Sequence, residues 1–131
     1  MNSKKVALII AYEGYQHIEY NEPKKILTDA NFKVITVSKK ADAAIGKDGS
    51  TAKIDLILDE LNTDDYEGIF FIGGPGCLEH LDNQSSYKII QKATKEQKPL
   101  GGICVSTRIL AYAGALTGKR ATGWNGDNEL P

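Results

Sequence analysis

Only two cysteines, Cys77 and Cys104, occur in 131 residues. That is too few for the disulfide framework of a small secreted protein, and their spacing lacks the paired pattern of a zinc site. Neither charge sign is in excess: 16 lysines and arginines face 17 aspartates and glutamates, a formal net charge of −1. Binding a phosphate backbone by counterion release needs an uncompensated cluster of Lys and Arg, so no nucleic-acid partner is expected. No run approaches the roughly 20 apolar residues of a membrane-spanning helix, so no membrane partner is expected either. Lys4-Lys5 followed by the apolar run from Val6 to Ala11 has the outline of a signal peptide, but the run is short, Glu13 follows closely and no small-residue cleavage site is present. An opening buried strand is the better reading, and a cytoplasmic location is expected.

What is there fits one ordinary globular domain. Apolar residues make up 41% of the chain and charged residues 25%, and a chain of this length buries enough surface for a real core. Val6 to Ala11 reads as a strand buried on both faces. Ile18 to Ala30 reads as a helix whose regular part starts near Pro23, since proline is tolerated in a first turn. Phe32 to Val37 follows as a second strand. Residues 39 to 53 hold Gly46, Asp48, Gly49 and Ser50, a turn-rich composition that fits a short hairpin or an excursion at the sheet edge. Ile54 to Leu61 is ambiguous. Gly68 to Ile72 is the next buried strand, Ser85 to Gln97 a helix, Leu100 to Ile103 a short strand and Val105 to Ala115 an apolar helix stopped by Gly118. Strands alternating with helices imply a parallel sheet with right-handed crossovers and helices on both faces.

In such sheets, sites form beyond the carboxyl ends of the strands. Three loops there are unusual: Tyr12 to Glu19, Gly73 to Cys77, and the turn at Cys104. Gly101-Gly102-Ile103-Cys104-Val105-Ser106 places small residues two before and two after the cysteine. A nucleophile elbow needs that pattern, because its tight turn leaves no room for large neighbours. The helix that follows adds a positive end favouring thiolate. The same cysteine could also be a buried structural residue. Gly73-Gly74-Pro75-Gly76 lacks the rest of a P-loop or a dinucleotide fingerprint. Its backbone amides, with that of Val105, suit an oxyanion hole, or they form a plain strand-ending turn. Glu19 could meet the cysteine sulfur or be a solvated charge. His17 and His80, the only histidines, are candidate general bases. Trp124 and Asn125 could line a pocket or anchor a turn. Cys77 reads as incidental.

Together these segments resemble the ThiJ/PfpI superfamily, over nearly the whole chain from Lys5 to about Asn125. Tyr15-Gln16-His17-Ile18-Glu19 followed by Pro23 resembles the family's acidic segment, whose last glutamate contacts the cysteine. Ile72-Gly73-Gly74 matches its Gly-Gly loop and Gly102-Ile103-Cys104 its elbow. The resemblance implies a flavodoxin-like, class I glutamine amidotransferase-like three-layer α/β sandwich with a mainly parallel central sheet and the elbow at Cys104. The expected site has Cys104 and Glu19 as catalytic residues and His17 as a proton shuttle. Gly74 and Val105 are expected to form the oxyanion hole, and Gly73, Trp124 and Asn125 the pocket. No cofactor and no metal are expected.

The activity implied is glyoxalase- or deglycase-like action on a small reactive carbonyl. The alternatives are a PfpI-like intracellular cysteine peptidase and a redox-sensing or chaperone-like stress protein that uses Cys104 oxidation. Two departures bear on the choice. Val105 stands where PfpI-type proteases carry a histidine after the nucleophile, and Thr122-Gly123-Trp124 has no histidine where the deglycase branch has one. Members usually continue with a further strand or two and a closing helix, so an end at Pro131 reads as a fragment, a cleaved product or one piece of a split protein. A homodimer or larger assembly, or the missing C-terminal segment, is the expected partner of the face left open.

Overall fold

The apolar run at the N-terminus becomes the middle of the sheet. In the computed structural model, which describes residues 4–126, β1 (Lys5–Ile9) is followed by β2 (Glu13–Tyr15), α1 (His17–Asp29), β3 (Lys33–Ser38), β4 (Ala43–Gly46), β5 (Thr51–Lys53) and β6 (Leu56–Ile57). Then come β7 (Gly68–Phe71), α2 (Cys77–Leu81), α3 (Gln84–Lys95), β8 (Leu100–Gly102) and α4 (Ser106–Tyr112). Five strands form the main sheet in the order β6-β3-β1-β7-β8, with every neighbouring pair parallel. Val6, Ala7, Leu8, Ile9, Ile10 and Ala11 are all fully or almost fully buried. Each larger side chain among them contributes about 1.5–3 kcal/mol of burial free energy, which is why this segment takes the central position.

The layers follow from the strand pleat. Successive residues of a strand point to opposite faces. A Cβ on Gly101 would lie 2.8 Å from the Phe70 ring, whereas one on Gly102 would lie 2.8 Å from Leu110 of α4. α4 therefore covers the face opposite Phe70, together with α3, which packs on both α4 and β8. α1 packs on β1 and β3. Pro23, Ile26 and Leu27 of α1 border an apolar groove floored by Leu8, Phe70 and Gly101, which are in register across three strands. The groove is about 450 Å³, and Ile26 and Ile103 stand exposed along it. This is the three-layer α/β sandwich that the sequence implies, with the elbow where the chain leaves β8.

Several boundaries differ from the sequence reading. α1 begins at His17, not near Pro23, because the Gln16 side chain accepts the Ile18 amide at 3.1 Å and caps the first turn. Pro23 is thus inside the helix, where it leaves the Glu19 carbonyl without its helical amide donor. α4 ends at Tyr112, earlier than Ala115. Gly114, at φ 86°, takes the left-handed position that closes a helix, a role the sequence reading gave to Gly118. The turn-rich stretch from 39 to 53 is a hairpin of β4 and β5. It does not join the main sheet but pairs with β2 as a second, three-stranded sheet. Ile54–Leu61 resolves into the edge strand β6 and one turn of 3₁₀ helix. Among the described residues no helix is long and apolar enough to cross a membrane.

Candidate active site

The site is built where β1, β7 and β8 end. After β8, the Ile103 amide still bonds to the Phe71 carbonyl at 3.1 Å, and Cys104 then turns sharply with φ 57°. A side chain in that left-handed region costs roughly 1–2 kcal/mol, so the rest of the structure must hold it there. Ser106, completely buried, does part of this by donating its hydroxyl to the Ile72 carbonyl at 2.8 Å. The Thr107 and Trp124 amides both donate to the Cys104 carbonyl, at 3.3 Å each. The small neighbours seen in the sequence thus serve a real elbow, and Cys104 is partly exposed at its tip.

Glu19 arrives from the first turn of α1. Its Oε1 accepts the Gly73 amide at 3.0 Å, and Gly73 is close to both the acid and Cys104. A Cβ built on Gly73 would sit 2.5 Å from Glu19 Oε1 and 2.8 Å from Cys104 Cβ. No larger residue fits there while both groups converge. The Gly74 backbone, at φ 136°, is left-handed, and a Cβ on it would strike the Gly14 carbonyl at 2.3 Å. Among the described residues neither the Gly74 nor the Val105 amide has a protein acceptor, the condition an oxyanion hole requires.

Around these groups lies a cavity of about 340 Å³. Glu19, Gly74, Cys104, Val105 and Trp124, all expected in the site, line it. Gly73, Asn125 and His17, also expected there, are not among its lining residues: Gly73 turns its amide to Glu19 beside the cavity. His17 instead places its Nε2 3.6 Å from the Asp48 carboxylate, and His80 is buried on α2 beside Glu79. Four further lining residues were not among the expected site residues: Gln16, Lys47, Pro75 and Leu78. Gln16 and Pro75 could have been suspected from their places within the acidic segment and the glycine loop. Lys47 carries no local signal, because only the pairing of β4 with β2 brings it to the cavity.

Two neighbouring groups complete the picture. Cys77 is fully buried and donates its thiol to the Ile72 carbonyl at 3.1 Å. Burial pushes that thiol up to about 12, against the opposing hydrogen bond with Ser106, so it stays protonated and unreactive. Arg108, on the elbow helix, is 1% exposed. Its guanidinium donates to the Trp124 carbonyl at 3.3 Å and lies 5.6 Å from the indole centroid. An arginine within a mostly apolar segment was the available sign of this clamp. Among the described residues no cluster of three His, Cys, Asp or Glu could hold a metal ion.

Known proteins carry the same arrangement of segments. The family model for the DJ-1/PfpI family matches residues 4–129. An uncharacterized protein of Methanocaldococcus jannaschii is 31% identical over 123 residues, covering 93% of this chain and 60% of that protein. A deglycase of Pyrococcus abyssi is 30% identical over 119 residues, covering 91% of this chain and 72% of the deglycase. The chain therefore spans between three fifths and three quarters of these relatives' length. Among solved structures, a ThiJ/PfpI domain protein from Brachyspira murdochii superposes with a TM-score of 0.90 at 26% identity, over 98% of this chain and 74% of the other. With a family model matched across almost its whole length, this chain belongs to the DJ-1/PfpI family.

Proposed function

We propose that the chain supplies the thiol, the acid and the oxyanion site of a cysteine-dependent enzyme that converts small reactive carbonyls, in the manner of a glyoxalase or deglycase. The observation that carries this reading is the convergence of the Glu19 carboxyl and Cys104 at Gly73. Relatives named as deglycases, at about 30% identity, support the same class.

With a 2-oxoaldehyde in the cavity, the Cys104 thiolate adds to the aldehyde carbon. The carbonyl π electrons move onto oxygen, where the Gly74 and Val105 amides face the developing charge. Protonation of that oxygen gives a hemithioacetal. Glu19 holds the Gly73 amide with Oε1, and its other oxygen takes the hydrogen of the former aldehyde carbon as a proton. The electrons left behind form an enediol, which is reprotonated at the neighbouring carbon to give a 2-hydroxy thioester. Water then cleaves the carbon–sulfur bond, releasing the 2-hydroxy acid and restoring the thiol. The net change is the addition of one water, with no external oxidant or reductant.

Incubation with methylglyoxal and assay of lactate tests the reading. Lactate is expected from the wild-type chain and not from Cys104→Ala. The reading is refuted by no lactate, or by lactate formed equally by Cys104→Ala.

A further inference from the structure

We infer that Lys47 is a substrate-binding residue and that the preferred carbonyl compound carries a carboxylate beyond its reactive end; this rests on the proposed carbonyl chemistry at Cys104. Among the described residues, the cavity has two charged residues on its walls, Glu19 and Lys47. Glu19 is already engaged by Gly73. Most of the remaining wall is hydrocarbon or aromatic: Pro75, Leu78, Val105 and Trp124. A two- or three-carbon dicarbonyl would use neither the cation nor that wall.

The backbone that carries Lys47 is fixed. Its amide donates to the Tyr15 carbonyl at 2.8 Å, next to the residue that caps α1. The preceding Gly46 packs on the Tyr15 ring, so closely that a Cβ there would lie 3.1 Å from Cζ. The nearest carboxylate in sequence, Asp48, makes no ion pair with the ammonium. It accepts both the amide and the hydroxyl of Ser50, at 3.0 and 2.6 Å, and faces His17. Those Ser50 hydrogen bonds hold the Asp48 carboxyl below the usual carboxylate range. Among the described residues Lys47 has no ion-pair partner. A flexible four-carbon stem ending in a point charge suits a single carboxylate held at the rim. The apolar body of the substrate would lie against Trp124, with its aldehyde at Cys104.

The charge preference can be read without turnover, on the Cys104 thiol itself. Iodoacetate and iodoacetamide are near-isosteric, and each forms the same carbon–sulfur bond as iodide leaves. Alkylation of Cys104 by each is followed by mass spectrometry, and the rate ratio is divided by that of free N-acetylcysteine. Exposed ion pairs of this kind give up to about a fivefold preference. The normalised ratio is expected between about 1.4 and five at low salt, falling toward one at high salt, where screening is strong, and in Lys47→Met. A ratio of one in the wild type, or a preference unchanged in Lys47→Met, overturns the inference and leaves the reactive thiol standing. A Cys104 that neither reagent alkylates overturns the reading of the site as a whole, and this inference with it. As a second readout, 4-carboxyphenylglyoxal is compared with phenylglyoxal. A kcat/KM ratio that favours the carboxylate and is lost in Lys47→Met supports the inference; a ratio at or below one in the wild type sinks it.

Discussion

Substituting Cys104 by glycine and, separately, by alanine tests whether the elbow stores strain. Both variants remove the thiol, so they differ only in the Cβ. At φ 57° that Cβ costs about 1–2 kcal/mol in the folded state. Glycine avoids the cost but adds conformational freedom to the unfolded chain, worth about 0.4–1 kcal/mol in the opposite direction. The net expectation is that Cys104→Gly is more stable than Cys104→Ala by about 1 kcal/mol, or about 4 °C in Tm for a domain of this size. The usual order is the reverse. At Ala111, within α4, glycine should cost about 1 kcal/mol, so Ala111→Gly serves as an internal control of opposite sign. Differential scanning calorimetry of the three variants gives the comparison directly. If Cys104→Ala melts at or above Cys104→Gly, the left-handed turn carries no strain, and its account as a nucleophile elbow fails.

Two further outcomes are expected. Because burial holds the folded Cys77 thiol near 12 while an unfolded thiol titrates near about 8.5, its contribution to stability is complete below the lower value and is lost as pH rises toward the upper one. Wild-type stability minus that of Cys77→Ala, from urea titrations, should fall by up to about 1.4 kcal/mol per pH unit above pH ~8.5; a difference flat from pH 8 to 10.5 would contradict the burial argument. Replacing Arg108 by methionine should release the only tryptophan from its clamp. The emission of the folded variant should move to longer wavelength, and an unshifted spectrum would show that the guanidinium does not hold the indole.

The parts of the fold that could be read from sequence are those whose signal is local. β1 and β7 were legible because strands buried on both faces leave continuous apolar runs, and the elbow because a sharp turn demands small neighbours. Glu19 was legible only through resemblance, since a single glutamate on a helix has no pattern of its own. The start of α1 was missed because glutamine is an uncommon cap and Pro23 appeared to be the boundary. β2 was missed because its three residues are strand only through pairing with β4. Lys47 reaches the cavity by that same long-range pairing, which composition cannot show. The burial of Arg108 depends on the return of residues 122–125 over the elbow.

A single oxygen fastens three elements next to the elbow. The carbonyl of Ile72, at the exit from β7, receives the Cys77 thiol from the first residue of α2 and the Ser106 hydroxyl from the first residue of α4. The two short helices are tied to one point at their bases, which opposes their spreading apart for a bulkier guest. Accommodation of a larger guest therefore falls first to the turn bearing Lys47 and the returning segment bearing Trp124, which carry no such tie to Ile72.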